Sequence, residues 1–166
     1  ITIRTNGVYS IDMNGSAITG DSSDQIVIEA GGVLRKAVTT GEAIVDWNVV
    51  NQGVINVSAG TLSLVESGTL GGAATVSADA VLHLDLGTFN LLNGGQINGA
   101  GEFRTTTAIN VSPGVFTVNN PAVLGVNTTL GGSGTIALAG GGTIGGGIVI
   151  TTGKAEIRSR IYHTNG

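Results

Sequence analysis

The sequence predicts an all-β protein, a right-handed parallel β-helix of about eight coils with little or no helix, and three observations carry that expectation. A phrase recurs imperfectly as Ile55-Asn56-Val57-Ser58-Ala59-Gly60, Thr75-Val76-Ser77-Ala78-Asp79 and Ile109-Asn110-Val111-Ser112-Pro113-Gly114. Short runs alternate apolar and polar residues with a period of two. No stretch of a dozen residues combines helical apolar spacing with a capping signal.

Taken along the chain, the alternating runs are Val54-Ile55-Asn56-Val57, Thr61-Leu62-Ser63-Leu64, Val81-Leu82-His83-Leu84, Phe89-Asn90-Leu91, Phe116-Thr117-Val118 and Thr135-Ile136-Ala137-Leu138. Each has the length of a half-buried strand. Between them stand Ser67-Gly68, Gly71-Gly72, Asn93-Gly94-Gly95, Gly131-Gly132 and Gly140-Gly141-Gly142, which read as corners because these residues tolerate tight turns.

An antiparallel sandwich or barrel would use the same turn chemistry, so the repeat length decides. Ser58 and Ser77 are 19 residues apart, and Leu62-Ser63-Leu64 recurs 20 positions on as Leu82-His83-Leu84. A coil of that size holds about three short strands. Ser112 follows Ser77 by 35 residues, near two short coils. Coils stacked at ~4.8 Å would make a rod near ~40 Å long, with inward Val, Ile and Leu piled in layers. The expected organisation is one solenoid domain over 1–166, with 1–50 less regular and holding a cap or loops, 51–153 in regular coils, and 154–166 as a C-terminal cap or tail. The polar break at 20–24 and the stretch 36–46 are the places for protruding loops. The charges of Lys154, Glu156, Arg158 and Arg160 would blunt one end of the rod.

Composition narrows the partners. The 166 residues include 29 glycines, 41% hydrophobic, 11% charged and 4% aromatic residues, against a usual charged share of about 25%. With a mean hydropathy of +0.35 the chain is too apolar for a disordered tail. Seven basic residues and a net charge of -4 argue against nucleic acid, whose binding draws on clustered Lys and Arg. The absence of cysteine removes disulfides and thiolate metal sites. No apolar run reaches the ~18 residues of a membrane span, and Ile1-Thr2-Ile3-Arg4 is not a signal peptide. A chain without an initiating methionine reads as a segment of something longer that would carry any targeting sequence.

The phrases Ile28-Glu29-Ala30-Gly31-Gly32-Val33-Leu34-Arg35-Lys36, the run from Val50-Asn51-Gln52-Gly53 to Gly60-Thr61-Leu62-Ser63-Leu64, and Leu92-Asn93-Gly94-Gly95-Gln96-Ile97-Asn98-Gly99-Ala100-Gly101 resemble the Gly-Thr-Leu repeats of very large secreted bacterial proteins. Those repeats are similar to autotransporter passengers and filamentous-haemagglutinin-type adhesin stalks, and the likeness covers roughly residues 28 to 150. The resemblance implies an extracellular or cell-surface stalk, spacer or adhesive module, with glycans or other surface proteins as partners and no cofactor. It carries over no catalytic or binding residue.

Enzymes that process polysaccharides also use β-helices, and their chemistry needs clustered carboxylates or a base beside them. The candidates here are Glu66 and Asp85, about one coil apart, Glu102, and His83, which shares a strand side with Asp85. The alternative is an exposed polar stripe. His83 and His163 are the only histidines, and no Gly-x-Ser-x-Gly elbow accompanies them. Trp47 could serve as a sugar-stacking platform or as loop packing. Asp21 and Asp24 flank two serines and are the only hint of a calcium site, though the Gly-Gly-x-Gly-x-Asp repeat is missing. The glycine runs lack a phosphate-loop Lys, and the sequons at Asn14, Asn56, Asn110 and Asn127 fit chance in so Asn-, Ser- and Thr-rich a chain. Thr105-Thr106-Thr107, Thr128-Thr129 and Thr151-Thr152 raise a lower-ranked reading, an ice-binding ladder, but their spacing is uneven.

Overall fold

A computed structural model describes residues 1–21, 23–145, 149–150, 154–157 and 161–164, and all regular structure among them is β. Three strands make each coil. The first holds β1 (Thr2–Ile3), β2 (Val8–Ile11) and β3 (Gly15–Ile18), the second β4 (Gln25–Ile28), β5 (Val33–Lys36) and β6 (Glu42–Val45). The third holds β7 (Asn48–Asn51), β8 (Val54–Val57) and β9 (Thr61–Leu64), the fourth β10 (Gly68–Leu70), β11 (Ala73–Val76) and β12 (Val81–Leu84). The fifth holds β13 (Thr88–Leu91), β14 (Gln96–Asn98) and β15 (Glu102–Thr105), the sixth β16 (Ala108–Val111), β17 (Val115–Val118) and β18 (Ala122–Leu124). The seventh holds β19 (Thr129–Gly132), β20 (Thr135–Leu138) and β21 (Gly142–Gly145), the eighth β22 (Val149–Ile150), β23 (Lys154–Ile157) and β24 (Ile161–Thr164).

Every third strand pairs in parallel, so the chain winds three 8-stranded sheets around one core, a β-solenoid of the expected size. The first sheet runs from β1 to β22, the second from β2 to β23 and the third from β3 to β24. Alternation explains the pairing. In β12, Leu82 and Leu84 point inward and are fully buried while His83 faces out. Register then stacks Ala43, Leu62, Leu82, Phe103 and Ala122 in one inward column. Each fully buried aliphatic side chain contributes about 1.5–3 kcal/mol relative to exposure.

Aromatic rings interrupt these columns only where a neighbour leaves room. A Cβ on Gly68 would come within 2.9 Å of the Phe89 ring, and one on Gly95 within 2.7 Å of the Phe116 ring. Gly68 opens β10, and Gly131 and Gly132 close β19, so these glycines belong to strands rather than to the corners expected of them.

The first 50 residues follow the same winding with longer corners. Thr2 pairs with Val27 and Ile18 with Val45, against Leu62 with Leu82 later. The register shifts between Ser16 and Ile18. Lys36 takes an inward position between Ile11 and Val57 and is 0% exposed. Its ammonium donates to the Thr39 carbonyl at 2.6 Å and to Thr39 Oγ1 at 2.8 Å. Burial pushes the Lys36 pKa down, and Asp12 partly offsets this. At the far end, β23 and β24 pair in parallel with β20 and β21. Arg158, Arg160 and Thr151-Thr152 lie outside the described residues. No helix among the described residues is long and apolar enough to cross a membrane.

Candidate functional site

The chemistry-bearing side chains singled out from the sequence gather in part on the outward face of the third sheet. His83 on β12 lies in register between Ser63 on β9 and Arg104 on β15. Strand alternation turns all three outward, because their neighbours Leu62, Leu82 and Phe103 are core residues. Asp85 follows β12 and Thr106 follows β15, and the backbone stacks these two corner positions on the coils before them.

One connected network results. His83 Nε2 is 3.1 Å from Thr106 Oγ1, and Thr106 Oγ1 donates to Asp85 Oδ1 at 2.7 Å. The Thr106 hydroxyl has a single proton, which Asp85 takes, so His83 Nε2 must itself carry hydrogen and donate. His83 Nε2 lies 3.9 Å from Asp85 Oδ1. Burial pushes the His83 pKa down, Asp85 pulls it up, Arg104 pushes it down, and Glu42 and Glu102 pull it up. Beside the network, Ser63 Oγ donates to Glu42 Oε1 at 2.5 Å. Arg104 Nη2 pairs with Glu102 Oε1 at 2.6 Å, within its own strand.

The four candidates therefore separate. His83 and Asp85 come together. Glu102 pairs in register with Val81, at the opposite end of β12 from Asp85, and is occupied by Arg104. Glu66 sits in the corner one coil before Asp85, its carbonyl oxygen 2.4 Å from where a Cβ on Gly87 would stand. Thr106 and Ser63 join the cluster although the residue types alone did not mark them. The signal was coil length, since Thr106 follows Asp85 by 21 positions and Ser63 precedes His83 by 20.

The other candidates lie elsewhere. Asp21 Oδ1 accepts the Ser23 N–H at 2.8 Å and also the Ser23 hydroxyl, and Asp24 Oδ2 accepts the Asp21 N–H at 3.1 Å. The hydrogen bonds from Ser23 hold the Asp21 carboxyl below its ordinary pKa. Both carboxylates thus fold their own turn; Ser22 lies outside the described residues. Trp47 packs partly buried against the core, with its Nε1 2.1 Å from where a Cβ on Gly20 would stand. Thr105, Thr107 and Thr128 are buried, and two donate to backbone carbonyls of the preceding coil, Thr107 to Gly87 at 2.6 Å and Thr128 to Thr105 at 2.8 Å. An outward ladder would need these side chains on the surface.

Among the described residues no three His, Asp or Glu side chains come together as a metal site, and no pocket opens on the surface. What this face offers chemically is a strip of paired donors and acceptors, with Ser63 buried among its neighbours. No family model, curated protein or solved structure matches the chain.

Proposed function

We propose that this β-solenoid is a non-catalytic structural module, a stalk, spacer or adhesive surface of a secreted or cell-surface bacterial protein. The observation that carries the reading is where the polar side chains spend their hydrogen bonds. Thr5, Asn51, Thr107, Asn120 and Thr128 each donate to a backbone carbonyl in a neighbouring coil. Ser63 with Glu42, Thr106 with Asp85 and Asn119 with Asn98 join side chains across the same junctions. Polar groups so engaged hold coils together and leave a long, even surface. The phrases similar to secreted bacterial repeats support the same placement outside the cell.

Glycan-array binding combined with polysaccharide depolymerisation assays on the purified chain tests the proposal. A passive stalk gives neither signal. Selective glycan binding without turnover favours the adhesive form, and depolymerisation abolished by His83→Ala and Asp85→Ala overturns the non-catalytic reading.

A further inference from the structure

The three sheets differ in what they present to solvent. The outward side of the third carries Glu42, Glu102, Arg104 and the imidazole of His83, and that of the second carries Arg35 and Glu156. No strand of the first sheet contains a charged residue. Alternation fixes its two outward columns, because Val49, Phe89, Ile109 and Leu130 are buried in the core. Register stacks Val50, Thr69, Asn90 and Asn110 in one column and Thr88, Ala108 and Thr129 in the other.

The polar groups on this face are also unspent. The side chains of Thr69, Thr88, Asn90, Asn110 and Thr129 make no hydrogen bond to another described residue, whereas Ser63, His83 and Arg104 on the third sheet are all engaged. Asn90 and Asn110 are exposed and stand in register on neighbouring strands. Each carboxamide and hydroxyl both donates and accepts. The Thr methyl groups, Val50 and Ala108 set apolar carbon between them.

We propose that, in the adhesive form of this module, on which the assignment rests, the first sheet binds an uncharged, extended polysaccharide lying along the solenoid axis. Charge selects the ligand. A carboxylate- or sulfate-bearing chain would give up water against a face with no cation to receive it, and Asp46, Glu66 and Asp85, in the corners that lead into this sheet, would repel it. A neutral sugar chain presents hydroxyls beside C–H surface, which is what Asn and Thr complement. Equivalent outward positions recur every ~4.8 Å along the axis, so a straight chain meets the same kinds of group coil after coil, and many weak contacts add up. The outward columns hold no aromatic or Arg side chain, the anchors on which protein partners are held.

Isotopically labelled protein, titrated with the neutral β-1,4-linked hexasaccharides of glucose, xylose and mannose and with hexagalacturonate, tests this by heteronuclear NMR that includes the side-chain amides. Binding of a neutral hexasaccharide in the millimolar range is expected, with shifts concentrated at Thr69, Thr88, Asn90 and Asn110, and hexagalacturonate should bind at least tenfold more weakly. The double variant Asn90→Ala with Asn110→Ala should weaken the neutral sugar at least tenfold, while Thr75→Ala, on the second sheet, leaves it unchanged. Unshifted core resonances show that each variant keeps the fold. No binding of any neutral hexasaccharide overturns the proposal and leaves the passive stalk standing. Shifts that map to His83 and Arg104 instead overturn it and leave the adhesive reading standing. Hexagalacturonate bound as tightly, or first-sheet shifts that grow with protein concentration alone, as between two copies, also overturn it. Shorter sugars released during the titration would overturn the non-catalytic reading and this proposal together.

Discussion

Gly60 and Asp79 hold the same left-handed backbone, φ 63 and 62, at the same corner of successive coils. The corner that glycine makes freely is made one coil later by a residue with a side chain. Surroundings distinguish the two. A Cβ on Gly60 would stand 2.3 Å from the Gly41 carbonyl oxygen and 2.7 Å from that of Thr39. Asp79 is exposed.

Gly60→Ala therefore adds a backbone collision to the left-handed strain, and it should lose about 1–3 kcal/mol. Asp79→Gly relieves strain without such a contact and should change stability by no more than about 1 kcal/mol. Urea unfolding of both variants checks the contrast, and equal small changes would show that the Gly41 and Thr39 carbonyls do not set the cost at Gly60.

Gly68→Ala places a Cβ 2.7 Å from the Val49 carbonyl oxygen and 2.9 Å from the Phe89 ring. It should destabilise by about 1–3 kcal/mol, and Phe89→Leu in the same chain should recover only part, since the backbone contact remains. Full recovery would mean that ring packing alone sets the cost.

Thr128→Val keeps the shape of a buried side chain and removes its hydrogen bond to the Thr105 carbonyl. That carbonyl keeps a second donor, the Gly125 N–H at 2.7 Å, so the loss should be near the net value of one bond, about 1 kcal/mol. A loss several times larger in urea unfolding would show that Thr128 carries more than this bond.

Two pH effects follow from burial. The Lys36 pKa is lowered on folding, so the unfolded chain binds more protons in the interval below 10.5 and stability rises with pH through that interval. His83 is likewise lowered from 6.5, so stability falls as pH drops below that value toward its folded pKa. Lys36→Met should remove the alkaline gain and His83→Gln the acidic loss. Thermal unfolding across pH, with proton NMR of the imidazole of His83, measures both; a His83 titration above 6.5 contradicts the second.

Much of the fold was legible from Leu62 and Leu82 alone, because alternation fixes which side faces the core and the 20-residue interval gives the coil. The repeated phrase was less simple. Val57-Ser58-Ala59-Gly60 and Val76-Ser77-Ala78-Asp79 turn the chain between the second and third sheets, whereas Val111-Ser112-Pro113-Gly114 turns it between the first and second. The phrase encodes a corner of small residues, not a fixed place in the coil, which is why its second interval was no whole number of coils. Gly68 looked like a turn because a glycine's role as room for Phe89 depends on a residue one coil away. Lys36 hid in the core because its charge gave no hint that Thr39 would receive it. The pairing of His83 with Thr106, and of Ser63 with Glu42, needed the register itself.

Backbone NOE spectroscopy on isotopically labelled protein tests the coil winding most directly. Parallel winding predicts inter-strand amide contacts linking Leu62 with Leu82, Leu82 with Phe103, Ile55 with Ala74, and Phe89 with Ile109, one ladder in each of the three sheets. Strong Hα–Hα contacts between Val54–Val57 and Thr61–Leu64, the signature of antiparallel strands joined as a hairpin, would contradict it.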